Sequence, residues 1–283
     1  MGSKGTKLSS FFNANVATPG PGDVKPRRPF QNVGGFSEDK SIANSSYNGM
    51  TVKLEKRLSN NVNFLANYAF SRFIDLCSNF GCPSPQNSYN IRQDYGLSDL
   101  QNKHIFTFGY ITNLPFGPGQ RFGGNMKGVA AAILGGWQFD GITTYRTGRP
   151  FSVQLNFDNQ NDGQRSFNQR PDVIRDPQPS GLNQTPAQWF DTSAFAVSAP
   201  YTYGNLGKNT LIGPSLQTWD FGLFKNIRVT EKTRFQFRAE LFNAFNNVNY
   251  SNPSATLGNS GFGQISSTAT EQRQIQFGLK YIF

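Results

Sequence analysis

The sequence predicts an all-β fold: a section of an antiparallel transmembrane β-barrel, about seven to eight strands, with long loops at one end. Three observations predict it. In the last eleven residues Ile275, Phe277, Leu279, Tyr281 and Phe283 are large and apolar, and they alternate with Gln274, Gln276, Gly278 and Lys280. Only Ile282 breaks that pattern. A period of two gives a strand with one oily and one wet face, and eleven residues suffice to cross a bilayer at a tilt. Second, no run of about 18 apolar residues occurs, which excludes a transmembrane helix. Third, connections between the alternating segments are short at one end and long at the other, as barrel topology demands.

Composition agrees with a barrel. The chain has 27 Phe against 3 Met, with 29 Gly and 36% hydrophobic residues. A low mean hydropathy is compatible with membrane strands, because half of each strand faces a watery lumen. The net charge is 27 − 17 = +10. The basic residues are scattered, with no Lys/Arg-rich helix and no stacking motif, so no nucleic-acid partner is expected. Basic rim and lumen residues that meet anionic headgroups or solutes account for the charge. The start, Met1 to Lys7, carries charge but no apolar stretch behind it, so it does not read as a secretory signal. The expectation is a C-terminal part of a longer protein.

Residues 1–46 are rich in Gly, Pro, Asn and Ser and are expected to be irregular, at most with a short strand and without a packed core. The barrel section is expected over 47–283. Met50, Val52 and Leu54 alternate with Thr51, Lys53, Glu55 and Arg57, and a turn at 58–61 leads to Val62, Phe64, Ala66, Tyr68 and Phe70. A long connection, 75–102, follows. Phe106, Phe108 and Tyr110 mark the third strand, the Gly-rich segment 114–135 a turn region, and Trp137 to Tyr145 the fourth strand. The stretch 148–216 is loop chemistry, with Phe151, Val153 and Leu155 as a hairpin arm. A loop of that length argues against a compact soluble domain. The fifth strand covers Trp219 to Val229, where Lys225 falls on the oily face and Phe224 on the wet one, which predicts a bulge or a local slip in register. The sixth sets Phe235, Phe237, Ala239 and Leu241 against Arg234, Gln236, Arg238 and Glu240. Loop 246–270 and the final strand close the chain. Seven strands leave two unpaired edges, so more strands are expected to complete a barrel, and the chain alone is expected to form a curved open sheet.

The final strand, with Phe277, Leu279, Tyr281 and Phe283, resembles the C-terminal signal that the outer-membrane barrel-assembly machinery of bacteria recognises. Trp219-Asp220-Phe221-Gly222-Leu223-Phe224-Lys225-Asn226 and Arg234 to Asn246 belong to a wider likeness. So do Trp189 to Phe195, Tyr47-Asn48-Gly49, Leu54 to Arg57 and Arg273 to Lys280. Together they resemble the C-terminal barrel region of TonB-dependent receptors. The Oar-like group, often with a carboxypeptidase-regulatory-like domain at the amino end, is the nearest in pattern. The resemblance covers about residues 45 to 283. It implies a bacterial outer-membrane location, a large barrel in outer-membrane lipid, and binding and uptake of an extracellular solute. It also implies N-terminal strands, a plug domain and a TonB box, none of which is visible here, so TonB would act only through the absent region. A non-transporting anchor that presents its loops for adhesion or surface assembly is the alternative.

Few residues suggest reactive chemistry. Cys77 and Cys82 could be a disulfide, a metal site or two free thiols; no further soft ligand lies nearby, and an exported loop is oxidising, which favours the disulfide. Asp158-Asn159-Gln160-Asn161-Asp162-Gly163 approximates the start of a calcium loop, with Asp158 and Asp162 as weak ligands. Gln160 departs from the pattern, and Gln169 stands where a bidentate Glu is needed, so a polar turn is the better reading and no cofactor is expected. His104 is the only histidine and has no nucleophile or orienting acid placed beside it, so no enzyme is expected. Lys53, Glu55, Arg57, Arg234, Gln236, Arg238 and Glu240 are expected to face the lumen, where they pair across strands or contact a plug or solute.

Overall fold

The computed structural model describes residues 1–59, 61–78, 85–164, 168–230 and 233–283. Eight long strands form one antiparallel meander in chain order: β1 Gly2–Asn13, β2 Ser37–Ser59, β3 Val62–Asp75, β4 His104–Asn113, β5 Trp137–Arg146, β6 Leu216–Arg228, β7 Arg234–Phe242 and β8 Gln274–Ile282. Gly96–Leu97 adds a two-residue strand beside the top of β3. β1 and β8 do not pair with one another, so the sheet is open.

Register ties the faces together, because directly opposed residues share a face. Gln236 lies opposite Asn226 and Lys280, and Arg238 opposite Phe224 and Gly278. Through β6 and β5 that face continues to Gln138, Asp140 and Thr144, then to Thr107, Asn67 and Lys53. The other face carries Val52, Leu54, Phe64, Tyr68, Phe108, Tyr110, Phe139, Phe221, Phe237, Phe277 and Leu279. An aromatic ladder crosses it, with centroids 5.9 Å apart for Phe64–Phe108, 5.7 Å for Tyr110–Phe139 and 5.5 Å for Phe139–Phe221. Each such cross-strand pair adds about 0.5–1.5 kcal/mol beyond its area.

Four expectations are revised. The first 46 residues are not mainly irregular: β1 and the upper part of β2 lie there, which raises the strand count from seven to eight. Gly2–Asn13 (GSKGTKLSSFFN) has too few apolar residues to show a period, so backbone pairing to Asn48–Ser37 holds it instead. No bulge occurs at Lys225, because β6 pairs with both β5 and β7 in unbroken register there. The turn region 114–135 contains a helix, α1 Gly128–Leu134. And the arm at Phe151–Leu155 is not a simple hairpin: Phe151 pairs with Leu211, while Leu155 pairs in parallel with Leu257.

The tight ends form by turn chemistry. Asn61 takes a left-handed conformation (φ 66°), which Asn tolerates well, and its side chain donates to Gln120 Oε1 at 2.7 Å. At the β6–β7 end Val229 N–H donates to Thr233 O at 3.0 Å. The opposite end carries the long connections, and these hold the hydrophobic core. Phe151, Val153, Phe190, Ala194, Phe195, Leu206 and Leu211 are buried together, with Trp189, Leu257 and Phe262 packed around them. Residues from two connections, 147–215 and 243–273, thus build one cap.

Candidate functional site

A cavity of about 460 Å³ opens at the loop end of the sheet, where the cap meets the strands. Its wall draws on β1 (Ser10, Phe12), on the β3–β4 connection (Gln86, Asp94, Asp99) and on the cap (Arg149, Arg170, Lys208, Asn209). No single connection could make it.

Buried ion pairs lock those segments together. Arg170 and Asp94 are both nearly inaccessible and form a salt bridge. The guanidinium Nε also donates to Leu206 O at 2.8 Å, and the other carboxylate oxygen of Asp94 accepts from Gln86 N–H at 2.8 Å. Gln86 in turn accepts from Arg170 N–H at 2.8 Å and donates to Gly204 O at 2.9 Å. Lys208 Nζ reaches Asp75 Oδ1 at 2.7 Å, at the top of β3. Asn209 donates to Leu97 O at 2.8 Å and to Asp99 Oδ1 at 2.6 Å. A buried charge is tolerable only when paired and hydrogen-bonded, as these are, and removing one partner leaves the other stranded. Arg149 lines the cavity from an exposed position and has no ion-pair partner among the described residues. The wall therefore offers fixed amides, a buried acid–base pair and one available guanidinium, a lining suited to a polar solute.

A second polar cluster joins the cap to the β1–β2 connection. Ala17 N–H donates to Asp162 O at 3.0 Å, and Asn161 Nδ2 donates to Gly20 O and Gly22 O, both at 2.9 Å. This is the stretch with calcium-loop character. Asp158 Oδ1 accepts from Gln169 Nε2 at 2.7 Å, and Asp162 accepts from the backbone and side-chain N–H groups of Gln164 at 2.8 and 3.1 Å. Both carboxylates thus face amide donors rather than an oxygen cage. Among the described residues no group of three or more His, Cys, Asp or Glu could hold a metal ion. Burial raises the Asp162 carboxyl above its usual range, opposed by the Gln164 hydrogen bonds and aided by Asp158. Burial likewise raises the Tyr203 phenol, with Asp162 and Tyr89 adding to it.

The remaining candidates are placed as follows. Cys77, at the cavity wall, is disulfide-bonded, and Cys82 lies outside the described residues. His104 begins β4, and its Nδ1 lies 2.7 Å from the Tyr68 hydroxyl. Lys53, Glu55, Arg234, Gln236, Arg238 and Glu240 share the polar face through the register, and Arg57 joins them by its contact with Glu55. Their contacts run along strands more than across them. Glu55 bridges Lys53 at 2.7 Å and Arg57 at 3.6 Å on its own strand. Arg238 donates to Gln236 at 2.8 Å and lies over the Phe224 ring at 5.6 Å. So Phe224, on the wet face, is the platform for a guanidinium. Phe277, Leu279, Tyr281 and Phe283 all remain exposed at the free edge of the sheet.

The model of a family described as an outer membrane beta barrel domain matches residues 1–276. The chain belongs to this family. The bacterial outer membrane is therefore its location, and the two-faced open sheet is a partial barrel. No curated protein and no solved structure matches the chain significantly. The cap cavity was not foreseen in the sequence of this outer-membrane barrel domain. Its residues come from segments up to 242 positions apart in number, Ser10 and Asn252 at the extremes, and share no local spacing. The one available signal was the cluster of Phe and Trp inside 148–216, an unusual expense of apolar residues for a solvated loop.

Proposed function

We propose that this chain is the barrel portion of a TonB-dependent receptor of the Oar-like kind, and that it binds an extracellular polar solute at its loop end for uptake. The observation that carries this is the cavity walled by three separate connections and clamped by buried ion pairs. Loops that served only as spacers would gain nothing from sharing a core. In this reading the polar face with Lys53, Arg238 and Glu240 lines the lumen and meets a plug or a passing solute. Binding and passage, not catalysis, are its work. The bare edges of β1, β2 and β8 pair with further barrel strands, because unpaired backbone groups cost several kcal/mol each in hydrocarbon. The C-terminal residues Phe277 to Phe283 address the chain to the barrel-assembly machinery.

The test uses the intact protein in its own membrane. Cells with and without a functional TonB system are fed labelled growth-medium solutes, and accumulation is compared with that of an Arg149→Ala, Asn209→Ala variant. Energy-dependent accumulation that the variant lowers supports the proposal. Binding or adhesion that is indifferent to both TonB and the cavity variant would instead make the chain a non-transporting anchor.

A further inference from the structure

The segment between β4 and β5 has a property that solute binding does not explain. Lys225 lies on the apolar face, opposite Trp137 and Phe237, yet it is only 6% exposed. The cover is α1. Lys225 Nζ donates to Ile133 O at 3.1 Å and to Gly135 O, and it sits 5.2 Å from the Trp137 ring centroid. Trp137 Nε1 also donates to Ile133 O, at 2.8 Å. The ammonium thus satisfies carbonyls at the helix C-terminus, where a cation is favourable. These bonds hold α1 against the apolar face, at its tight-turn end.

In that position α1 buries none of its own residues; Val129 is 74% and Ile133 60% exposed. Seven residues are too few to hold a helix in water by themselves. Beside it, an isolated parallel bridge joins Phe116 and Phe122, whose ring centroids lie 5.6 Å apart, and both are about half exposed. Gly117 (φ 106°) packs directly on Gly135, where a Cβ would collide with backbone, so this bridged loop and the helix form one unit. From 114 to 136 the only charged residues are Arg121 and Lys127. The patch is apolar, basic and continuous with the face that a bilayer covers in an outer-membrane barrel.

We infer that residues 115–134 are a membrane foot: α1 and the Phe116–Phe122 loop lie in the headgroup region of the periplasmic leaflet and bind anionic phospholipid. Val129, Ile133 and the two Phe rings enter the acyl boundary, while Arg121 and Lys127 meet phosphate. Interface binding of this kind scales with the apolar area buried at the acyl boundary plus the attraction of basic residues to anionic lipid. The foot is independent of what the cap binds.

The test places a bimane fluorophore on the full chain at Val129→Cys, labelled without reductant so that the Cys77 disulfide stays intact. A control carries the label at Leu279→Cys, on the apolar face of β8. The protein is reconstituted in phosphatidylethanolamine vesicles with and without phosphatidylglycerol. Spin-labelled lipids and aqueous iodide serve as quenchers. The foot predicts that the Val129→Cys probe is quenched by headgroup-proximal spin labels and shielded from iodide. It also predicts more quenching by label on phosphatidylglycerol than on phosphatidylethanolamine, a preference that Arg121→Gln or Lys127→Gln lowers about fivefold each at low salt. Free iodide quenching at Val129→Cys, with Leu279→Cys still in lipid, overturns the foot and leaves the barrel standing. Shielding from both lipid and iodide overturns it in favour of a protein partner or second copy. Iodide quenching at both positions removes the membrane face itself.

Discussion

On the apolar face of β8 the large side chains stay open to their surroundings, Phe277 at 69% and Leu279 at 72%, whereas in the cap Phe190 and Leu211 are fully buried. The two regions use the same residue types against different solvents. Cap residues leave water for a packed core, with the transfer free energy that this brings. Sheet residues wait for lipid, and until then only the hydrogen-bond ladder and cross-strand pairs hold them. A single chain thus contains a water-stable unit built from connections and a membrane-dependent unit built from strands. The usual relation, with loops as passengers on a scaffold core, is reversed.

This contrast can be broken from the cap side first. Arg170→Met strands the buried Asp94 carboxylate and should cost the cap about 3–5 kcal/mol. Hydrogen exchange in detergent should then show lost protection around Gln86, Gly204 and Leu206, with β6–β8 unchanged. Exchange that rose equally in the strands would mean that cap and sheet are one cooperative unit. Phe190→Ala acts in the same place by another route, about 3–5 kcal/mol for a buried Phe. It should reproduce the same confined pattern.

From the sheet side the effect is somewhat smaller and depends on lipid. Phe237→Arg, midway along β7 on the apolar face, should cost about 2–4 kcal/mol in a bilayer if the site lies near the midplane, and Gln236→Arg far less. Folding into vesicles, followed by heat-modifiable gel mobility, measures both. Equal tolerance would show that the two faces are misassigned.

These outcomes bear on what the sequence could reveal. Period two was legible from the lower half of β2 through β8 because each strand sits between two different solvents, and the wet and oily sets separate cleanly at Phe235–Leu241. β1 was not legible, since its pairing is backbone-driven and its side chains are mostly exposed on both faces. Lys225 and Phe224 looked like a slip in register. They are two local solutions instead: one cation capped by α1 from outside, one ring stacked under Arg238 from inside. The cavity was hidden for a different reason. Arg170, Asp94 and Gln86 meet only after two separate connections have folded, and no periodicity encodes a contact of that range.

The smallest expected effect concerns pH and the seam between cap and β1–β2 connection. Burial raises the Asp162 carboxyl in the folded chain, so the folded state binds that proton more tightly than the unfolded one. The sign follows: the charged carboxylate weakens the seam at any pH above its raised folded value. The penalty fades as pH falls through that value, and it is gone below the ordinary carboxylate range of about 3.9. Asp162→Asn removes the charge while its side-chain oxygen can still accept from Gln164 N–H. At neutral pH the variant should therefore show slower exchange at Ala17 and Gly20, whose N–H groups donate to Asp162 O and Gln160 O. The gap between variant and parent should close on acidification, because the parent then becomes neutral at the same atom. A variant that exchanges faster than the parent at neutral pH would mean that the carboxylate is stabilised by a charge partner. The cap would then depend on its acid at this seam as it does at Asp94.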